Sequence, residues 1–207
     1  VVDTGLAGPE AKKVFNVGDY MTFWGDTFDL QGDALCGKAM DDRACFACIL
    51  DALDRLQGKP LAVDLIVVGS TKEEVGLQGA RDVAWREKPD YAIAIDVCHG
   101  KTNASTAQVD TEMGKGPVIT LGANSLPILA RRAMEVARAK EIPYQVEAAG
   151  AHTGTNALLM QQVHGGVATL VLSLPLKYMH SPVEVLRRSD GENMGRLVGE
   201  CVLSFSQ

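Results

Sequence analysis

The feature that most constrains the fold of this chain is the alternation of helix-like and strand-like segments after about residue 41. Residues 43–57 carry apolar side chains at helical spacing, and residues 61–69 form a β-branched, largely apolar run that is typical of a strand. The alternation continues with a helix over 77–87, a strand over 91–97, a loop over 99–117, a helix over 126–141, a strand over 144–148, a helix over 155–164, a strand over 167–174 and a helix over 191–205. Strands separated by helices need crossover connections, so we predict an α/β fold with three α/β/α layers and a mostly parallel, mixed sheet.

The first 33 residues follow a different pattern. Residues 17–24 are typical of a turn followed by a short strand, and helical periodicity is weak throughout 1–33. These residues are too few to form a core, so we expect them to be the tail of a small β-rich domain. The chain begins at Val1 without an initiator Met, so we also expect further residues before it. The predicted parts are an incomplete β-rich domain over 1–33 and a larger domain over 34–207.

Composition narrows the class of protein. Hydrophobic residues make up 46% and charged residues 22% of the 207 positions, a balance that is typical of soluble globular proteins. The formal net charge is -6 with acids and bases interspersed, which argues against nucleic acid or an anionic membrane as the main partner. No apolar run has the length of a membrane span. Five cysteines do not indicate a disulfide framework, so we expect a cytoplasmic location.

Acidic residues and one histidine stand at the ends of the predicted elements. They are Asp41 and Asp42 before the helix over 43–57, Glu73 and Glu74 after the strand over 61–69, Asp96 at the end of the strand over 91–97, and His180 after the strand over 167–174. In sheets of this kind, ligands bind beyond the carboxyl ends of the strands. Isolated charges there are costly unless a cation or hydrogen bonds compensate them, so the convergence predicts a metal site.

Each of these residues also has a purely structural interpretation. Asp41 and Asp42 could cap the helix that follows them, where its dipole favours negative charge. Glu73 and Glu74 could be solvated acids at the start of a helix, and His180 an ordinary loop residue. Asp96 is harder to explain in this way, because the apolar residues before it are typical of a central strand. The combination, more than any single residue, indicates a metal site.

Four motifs carry a resemblance to a known family. They are Gly37-Lys38-Ala39-Met40-Asp41-Asp42-Arg43, Thr71-Lys72-Glu73-Glu74-Val75-Gly76-Leu77-Gln78-Gly79-Ala80, Ala94-Ile95-Asp96-Val97 and Tyr178-Met179-His180-Ser181-Pro182. In this order and spacing they resemble the tetrahedral, or glutamyl, aminopeptidase family of dinuclear metallopeptidases, some members of which are labelled cellulase or endoglucanase M. Residues 3–23 also resemble the end of that family's inserted β domain. The resemblance implies a zinc-peptidase-like fold.

The resemblance also implies a role for each site residue. Asp41 would bridge two divalent metal ions, Glu74 and His180 would complete the ligands of one ion, and Asp96 would bind the other. Glu73 would be the general base that takes a proton from the attacking water and returns it to the leaving amine. Mixed nitrogen and oxygen ligands suit zinc or cobalt, and manganese is also compatible.

Two departures from the family pattern bear on activity. The family has an early His-x-Asp segment whose histidine binds the same metal as Asp96, and all four histidines of this chain follow Asp41. We therefore expect the Asp96 metal to lack a ligand and this polypeptide alone to have weak or no peptidase activity. The second departure is Asn156, where the family usually has Asp, which removes a negative charge close to the site.

The predicted function is a metal-dependent aminopeptidase acting on the free N-termini of short peptides, in a family whose members form dimers and larger tetrahedral particles. A related dinuclear amidohydrolase, such as a deacylase or carboxypeptidase, remains an alternative. A glycosidase fits less well, because its two carboxyls must stand about 5–10 Å apart across a sugar bond, whereas Glu73 and Glu74 are adjacent. Only 5% of residues are aromatic, which leaves little for sugar stacking. A non-catalytic fragment is the third alternative.

Overall fold

The computed structural model describes residues 2–106 and 109–205. Its helices are α1 (Gly8–Val14), α2 (Met40–Leu56), α3 (Gln78–Glu87), α4 (Pro127–Ala139), α5 (Ala157–Met160) and α6 (Arg188–Ser204). Its strands are β1 (Phe28–Asp29), β2 (Ala34–Gly37), β3 (Tyr91–His99), β4 (Val118–Gly122), β5 (Gln145–Ala149), β6 (Ala168–Leu176) and β7 (Glu184–Arg187). No helix among these residues has both the length and the apolarity needed to cross a membrane.

The main sheet has four strands in the order β3-β6-β4-β5. Strands β3 and β6 are parallel along their whole length, from Tyr91 opposite Ala168 to His99 opposite Leu176. Strands β4 and β5 are also parallel, whereas β4 runs antiparallel to β6. The prediction of a mixed but mostly parallel sheet is therefore confirmed.

Helices cover both faces of this sheet. Helices α2, α4 and α6 form the larger core, against which Ile93, Ile95 and Val97 of β3 pack. On the opposite face Ala94 packs with Ala157 of α5, and α3 lies against α5. Residues alternate between faces along a strand, so Asp96 belongs to the α3/α5 face. These contacts confirm the three-layer α/β/α architecture.

A second, smaller sheet positions the start of α2. It is antiparallel, with the order β1-β2-β7, and Gly37 at the end of β2 is opposite Glu184 at the start of β7. This register brings the residues after β2 beside the loop between β6 and β7. Asp41, near the start of α2, and His180, after β6, therefore meet at one place.

The predicted strand over 61–69 is wrong, because this segment belongs to neither sheet of the described residues. Its aliphatic side chains are largely exposed, with Leu65 at 40% and Ile66 at 51% of their full accessibility. A strand owes its stability to hydrogen bonds and side-chain pairs with neighbouring strands. A β-branched composition alone does not supply those partners.

The strand predicted within 17–24 is also wrong, since these residues form a turn followed by irregular backbone. Tyr20 and Trp24 are almost fully exposed, and a short helix, α1, precedes them. The division at residue 33 stays a prediction. Within 1–33 the structure places β1, which pairs with β2, so residues 28–29 join the smaller sheet.

Candidate metal centre

Three potential metal ligands from distant parts of the chain converge on one point. The Nε2 atom of His180 lies 3.0 Å from Oδ2 of Asp41 and 3.4 Å from Oε2 of Glu74. One ligand atom from each of the three residues lies within 4.8 Å of the others. Two carboxylates and one imidazole form a donor set that suits a divalent transition metal. The sequence prediction brought the same three residues together.

A second group shares Asp41 with the first. Carboxylate oxygens of Asp41, Asp42 and Asp96 also lie within 4.8 Å of one another. Asp96 accepts a hydrogen bond from the backbone N–H of Val97 at 2.8 Å, which fixes one of its oxygens. Asp41 is thus the residue that the two groups of potential ligands share.

The neighbouring acids Asp41 and Asp42 have different surroundings. Both have non-helical backbone angles, and the peptide bond between them is cis, so the regular part of α2 begins after them. The carboxyl of Asp42 lies close to the backbone and side chain of Cys45, three residues ahead, at the start of the regular part of α2. The side chain of Asp41 instead faces His180 and is only 9% exposed. Asp42 is thus a member of the Asp96 group alone, whereas Asp41 belongs to both groups.

Two acids of this site, Asp41 and Asp96, have raised pKa values. Burial raises the pKa of Asp96 to about 7, and the charges of Glu73 and Asp41 add to this effect. Burial and the carboxylate of Glu74 raise the pKa of Asp41. Like charges in close proximity disfavour each other's ionised form, and a bound cation would relieve that repulsion. The electrostatics of the cluster thus fit a divalent cation.

Glu73 lies beside the cluster. Burial, followed by the charges of Glu74 and Asp41, raises its pKa. It lines the same open cavity of about 640 Å³ as Asp41, Asp96 and His180. A carboxyl in a cavity wall can accept a proton and return it to a bound substrate.

The other histidines differ in their surroundings. His99 and His152 line the cavity. His164 instead stacks on Trp85 with ring centroids 4.1 Å apart, and its Nε2 lies 2.6 Å from the Trp85 carbonyl oxygen, which is a structural role.

Asn156 contacts the segment that leads to the glutamates. Its Nδ2 donates a hydrogen bond to Oγ of Ser70 at 2.9 Å. Its Oδ1 is buried and has no hydrogen-bond partner among the described residues. The residue that departs from the family pattern is therefore adjacent to the start of the Glu73-Glu74 loop.

Sequence reasoning missed Glu184. This residue is only 2% exposed, and its carboxylate contacts the backbone of both Asp41 and His180. One signal could have found it: an acid between Val183 and Val185, where an uncompensated charge would be costly.

Comparisons with known proteins identify the family of this chain. A family model described as M42 glutamyl aminopeptidase matches residues 1–197. Lysyl aminopeptidase of Pyrococcus furiosus is 38% identical over 199 residues, which cover 95% of this chain and 57% of that protein. Glutamyl aminopeptidase of Lactococcus lactis is 27% identical, with 77% of this chain and 44% of that protein covered. The chain spans about half the length of the curated relatives it matches.

Solved structures have the same fold. An aminopeptidase from the archaeon Desulfurococcus kamchatkensis superposes with a TM-score of 0.87 and 31% identity, over 95% of this chain and 57% of that one. The TET1 peptidase of Pyrococcus horikoshii, which can assemble into a tetrahedron or a large octahedral shell, gives 0.79 and 30%, over 94% and 58%. An endoglucanase from Thermotoga maritima, at 23% identity and a TM-score of 0.69, shares the fold.

Proposed function

The chain belongs to the M42 glutamyl aminopeptidase family, and on that premise we propose that it carries the metal centre of an aminopeptidase that removes N-terminal residues from short peptides. The observation that carries the proposal is the meeting of Asp41, Glu74 and His180 within 4.8 Å, beside the raised-pKa carboxyl of Glu73. Three ligands from separate elements and a base in one open cavity match the needs of metal-assisted hydrolysis.

Each residue has a proposed task. Asp41 would be shared by two cations, with Glu74 and His180 holding one of them and Asp96 holding the other. Zinc or cobalt suits this mixture of carboxylate and imidazole, and manganese is compatible with the carboxylate-rich side. When bound, such cations polarise a carbonyl and lower the pKa of water.

Glu73 would move the proton. Its carboxylate takes a proton from the attacking water and delivers it to the nitrogen of the scissile peptide bond, which leaves as a free amine. The products are then the released amino acid and a peptide shortened by one residue. The raised pKa of Glu73 suits both halves of this transfer, because the group must be a base first and an acid afterwards.

The two cation sites are unequal in the described residues. The group around Asp96 consists of three carboxylates, whereas the group around Glu74 also includes the imidazole of His180. We propose that this polypeptide by itself binds one cation well and a second weakly. Weak or no peptidase activity would follow, because both cations are needed to orient water and substrate.

The cavity also supports a proposal about the cleaved residue. Glu147 and Asp110 line the cavity in addition to the acids of the metal cluster. Carboxylates left over after cation binding favour a positively charged substrate side chain. Since the 38% identical relative from Pyrococcus furiosus is a lysyl aminopeptidase, we propose a preference for basic N-terminal residues.

Self-association is a further part of the proposed function. Val17, Tyr20 and Trp24 are almost fully exposed within an irregular segment, and isolated monomers seldom expose such residues together. A related peptidase assembles into closed shells, so we propose that this chain forms homo-oligomers in the cytoplasm. Light scattering over a range of concentrations tests this, and a constant monomer mass would contradict it.

The alternatives make different demands on the site. A deacylase or carboxypeptidase of a related dinuclear family would use the same glutamates with a different substrate pocket. A glycosidase would need two carboxyls about 5–10 Å apart on opposite sides of a sugar bond. A non-catalytic fragment would retain the fold without a functional metal centre.

One experiment distinguishes these functions. The purified chain is titrated with Co²⁺ and Zn²⁺ by calorimetry, and hydrolysis is then measured on free aminoacyl anilides, N-acetylated peptides and carboxymethylcellulose. We expect cation binding and at most weak, chelator-sensitive cleavage, confined to the free aminoacyl substrates. Cleavage of N-acetylated peptides would favour a deacylase or carboxypeptidase, cleavage of cellulose a glycosidase, and failure to bind either cation would overturn the proposed function.

A further inference from the structure

Glu184 connects the two loops that carry the inner metal ligands. Its Oε2 accepts hydrogen bonds from the backbone N–H of Met40 at 2.6 Å and of Asp41 at 3.1 Å. Its Oε1 accepts one from the backbone N–H of His180 at 2.8 Å. One carboxylate therefore fixes the main chain on both sides of the cluster.

The surroundings of Glu184 show that these contacts matter. The residue is only 2% exposed, and no Lys, Arg or His within the described ranges forms an ion pair with it. A buried carboxylate without a counter-ion is costly unless hydrogen bonds compensate its charge. Here three backbone donors provide that compensation, and charge-assisted bonds of this kind are stronger than neutral ones. The Glu184 carboxylate thus fixes the two loops, and the backbone N–H groups of those loops compensate its buried charge.

The fold determines which loops are connected. Glu184 begins β7 and lies opposite Gly37, the last residue of β2. The chain leaves β2 toward Asp41, and it reaches β7 through the loop that contains His180. The backbone of His180 has a left-handed φ of 61°. Non-glycine residues seldom adopt that conformation without support from neighbouring groups. The bond from the His180 N–H to Glu184 provides such support.

We propose that Glu184 is a positioning residue, which sets the separation between the Asp41 carboxylate and the His180 imidazole and thereby tunes cation affinity. This rests on the proposed metal centre. Glu184 does not coordinate the cation itself in this arrangement, since its oxygens are directed to backbone N–H groups. It supports the residues that would bind the cation, and mutations of such supporting groups typically weaken metal affinity by about 10-fold to 100-fold.

The decisive variant is Glu184→Gln. The amide keeps the size of the side chain but has one accepting oxygen, and its NH₂ group would face a backbone N–H. One of the two loops must then lose its acceptor. Asp190→Asn is the matched control, because Asp190 is fully buried and accepts backbone bonds from Gly114 and Gly116 at 2.6 Å and 2.7 Å, outside the cavity.

The test is a Co²⁺ titration of the full chain, followed by its visible absorption, for wild type and both variants. We expect Glu184→Gln to weaken Co²⁺ binding by about 10-fold or more and to change the absorption band. We expect Asp190→Asn to lower the melting temperature but to keep the wild-type affinity and band. If the wild type binds Co²⁺ and Glu184→Gln binds it equally well, the proposed role of Glu184 is overturned but the metal centre is not. No binding by the wild type would overturn the metal centre as well.

A measurement on the wild type keeps the proposal testable if Glu184→Gln does not fold. Hydrogen exchange is followed at the amides of Met40, Asp41 and His180 with and without Co²⁺. We expect all three to be protected, with His180 as slow as Asp41 and both slowed further by Co²⁺. Rapid exchange at His180, typical of an unsupported loop, would overturn the proposal.

Discussion

The Nε2 atom of His180 lies 3.0 Å from Oδ2 of Asp41, although the two residues come from opposite ends of the α/β domain. Two ligands about 2.05 Å from a tetrahedral zinc ion would be about 3.3 Å apart. The distances from His180 to Asp41 and to Glu74, 3.0 Å and 3.4 Å, lie on either side of that value. These distances are compatible with the proposed binding of a cation by the three side chains.

Replacing the imidazole should weaken cation binding. We expect His180→Ala to lower Zn²⁺ affinity by 10-fold or more, because it removes the one nitrogen donor of the cluster described here. Calorimetric titration with Zn²⁺ measures this. His164→Ala is the control, since that histidine stacks on Trp85 away from the cavity, and it should bind Zn²⁺ like the wild type. Equal affinities for wild type and His180→Ala would show that His180 is not a ligand.

Replacing the proposed base should separate chemistry from cation binding. We expect Glu73→Gln to reduce kcat for an aminoacyl anilide by about 100-fold or more while Co²⁺ affinity stays the same, because the amide cannot accept the proton. The residual activity of the Co²⁺-loaded chain is the measurement, or that of the longer protein if this chain is part of one. A parallel loss of Co²⁺ affinity would instead make Glu73 a ligand.

Stability of the cation-free protein should fall as pH rises from 5 to 8. The Asp96 carboxyl ionises near 3.8 in the unfolded chain, but its pKa in the folded protein is about 7 because of burial. Between these values the folded state holds more protons than the unfolded state, so the free energy of unfolding decreases with increasing pH.

Thermal melting with chelator present, at several pH values, measures this dependence. We expect Asp96→Asn to flatten it, and excess Zn²⁺ to reverse it, since a cation stabilises the ionised carboxylates. A melting temperature that rises from pH 5 to pH 8 in the cation-free wild type would contradict the prediction.

Glu147 should influence which N-terminal residue is preferred. We expect Glu147→Gln to lower kcat/KM for a lysyl anilide relative to a leucyl anilide by about fivefold, which corresponds to about 1 kcal/mol for a partly exposed charge pair. Glu135→Gln, at an exposed position of α4, is the control and should leave the ratio unchanged. A ratio unaffected by Glu147→Gln would place the specificity elsewhere.

Much of the larger domain could be predicted from sequence. The amphipathic segment over 126–141 became α4, the apolar run over 167–174 became β6, and the family resemblance is confirmed by the match over residues 1–197. Strand β4 was missed inside a run of Val, Ile, Thr and Leu after Pro117, because a short strand carries little periodic signal. The four-residue strands β2 and β7 were missed for the same reason.

The segment over 61–69 illustrates the limit of local pattern. Its composition is that of a strand, yet the structure leaves it outside both sheets. Strand formation depends on partners, and partners come from other parts of a chain. By contrast, the helix over 40–56 forms because its stripe of apolar residues packs on α6, and that stripe is visible in the sequence itself.

The sequence alone determined the α/β class, the family and the residue types of the proposed metal centre, because periodicity and short motifs are local properties. Tertiary structure decided which carboxylates meet the imidazole, that Asp41 faces His180, and that a buried Glu184 bonds to the backbone of both loops. These outcomes depend on the register of β2 against β7 and on desolvation of charges. Both arise from contacts between residues far apart in the chain, which no local pattern specifies.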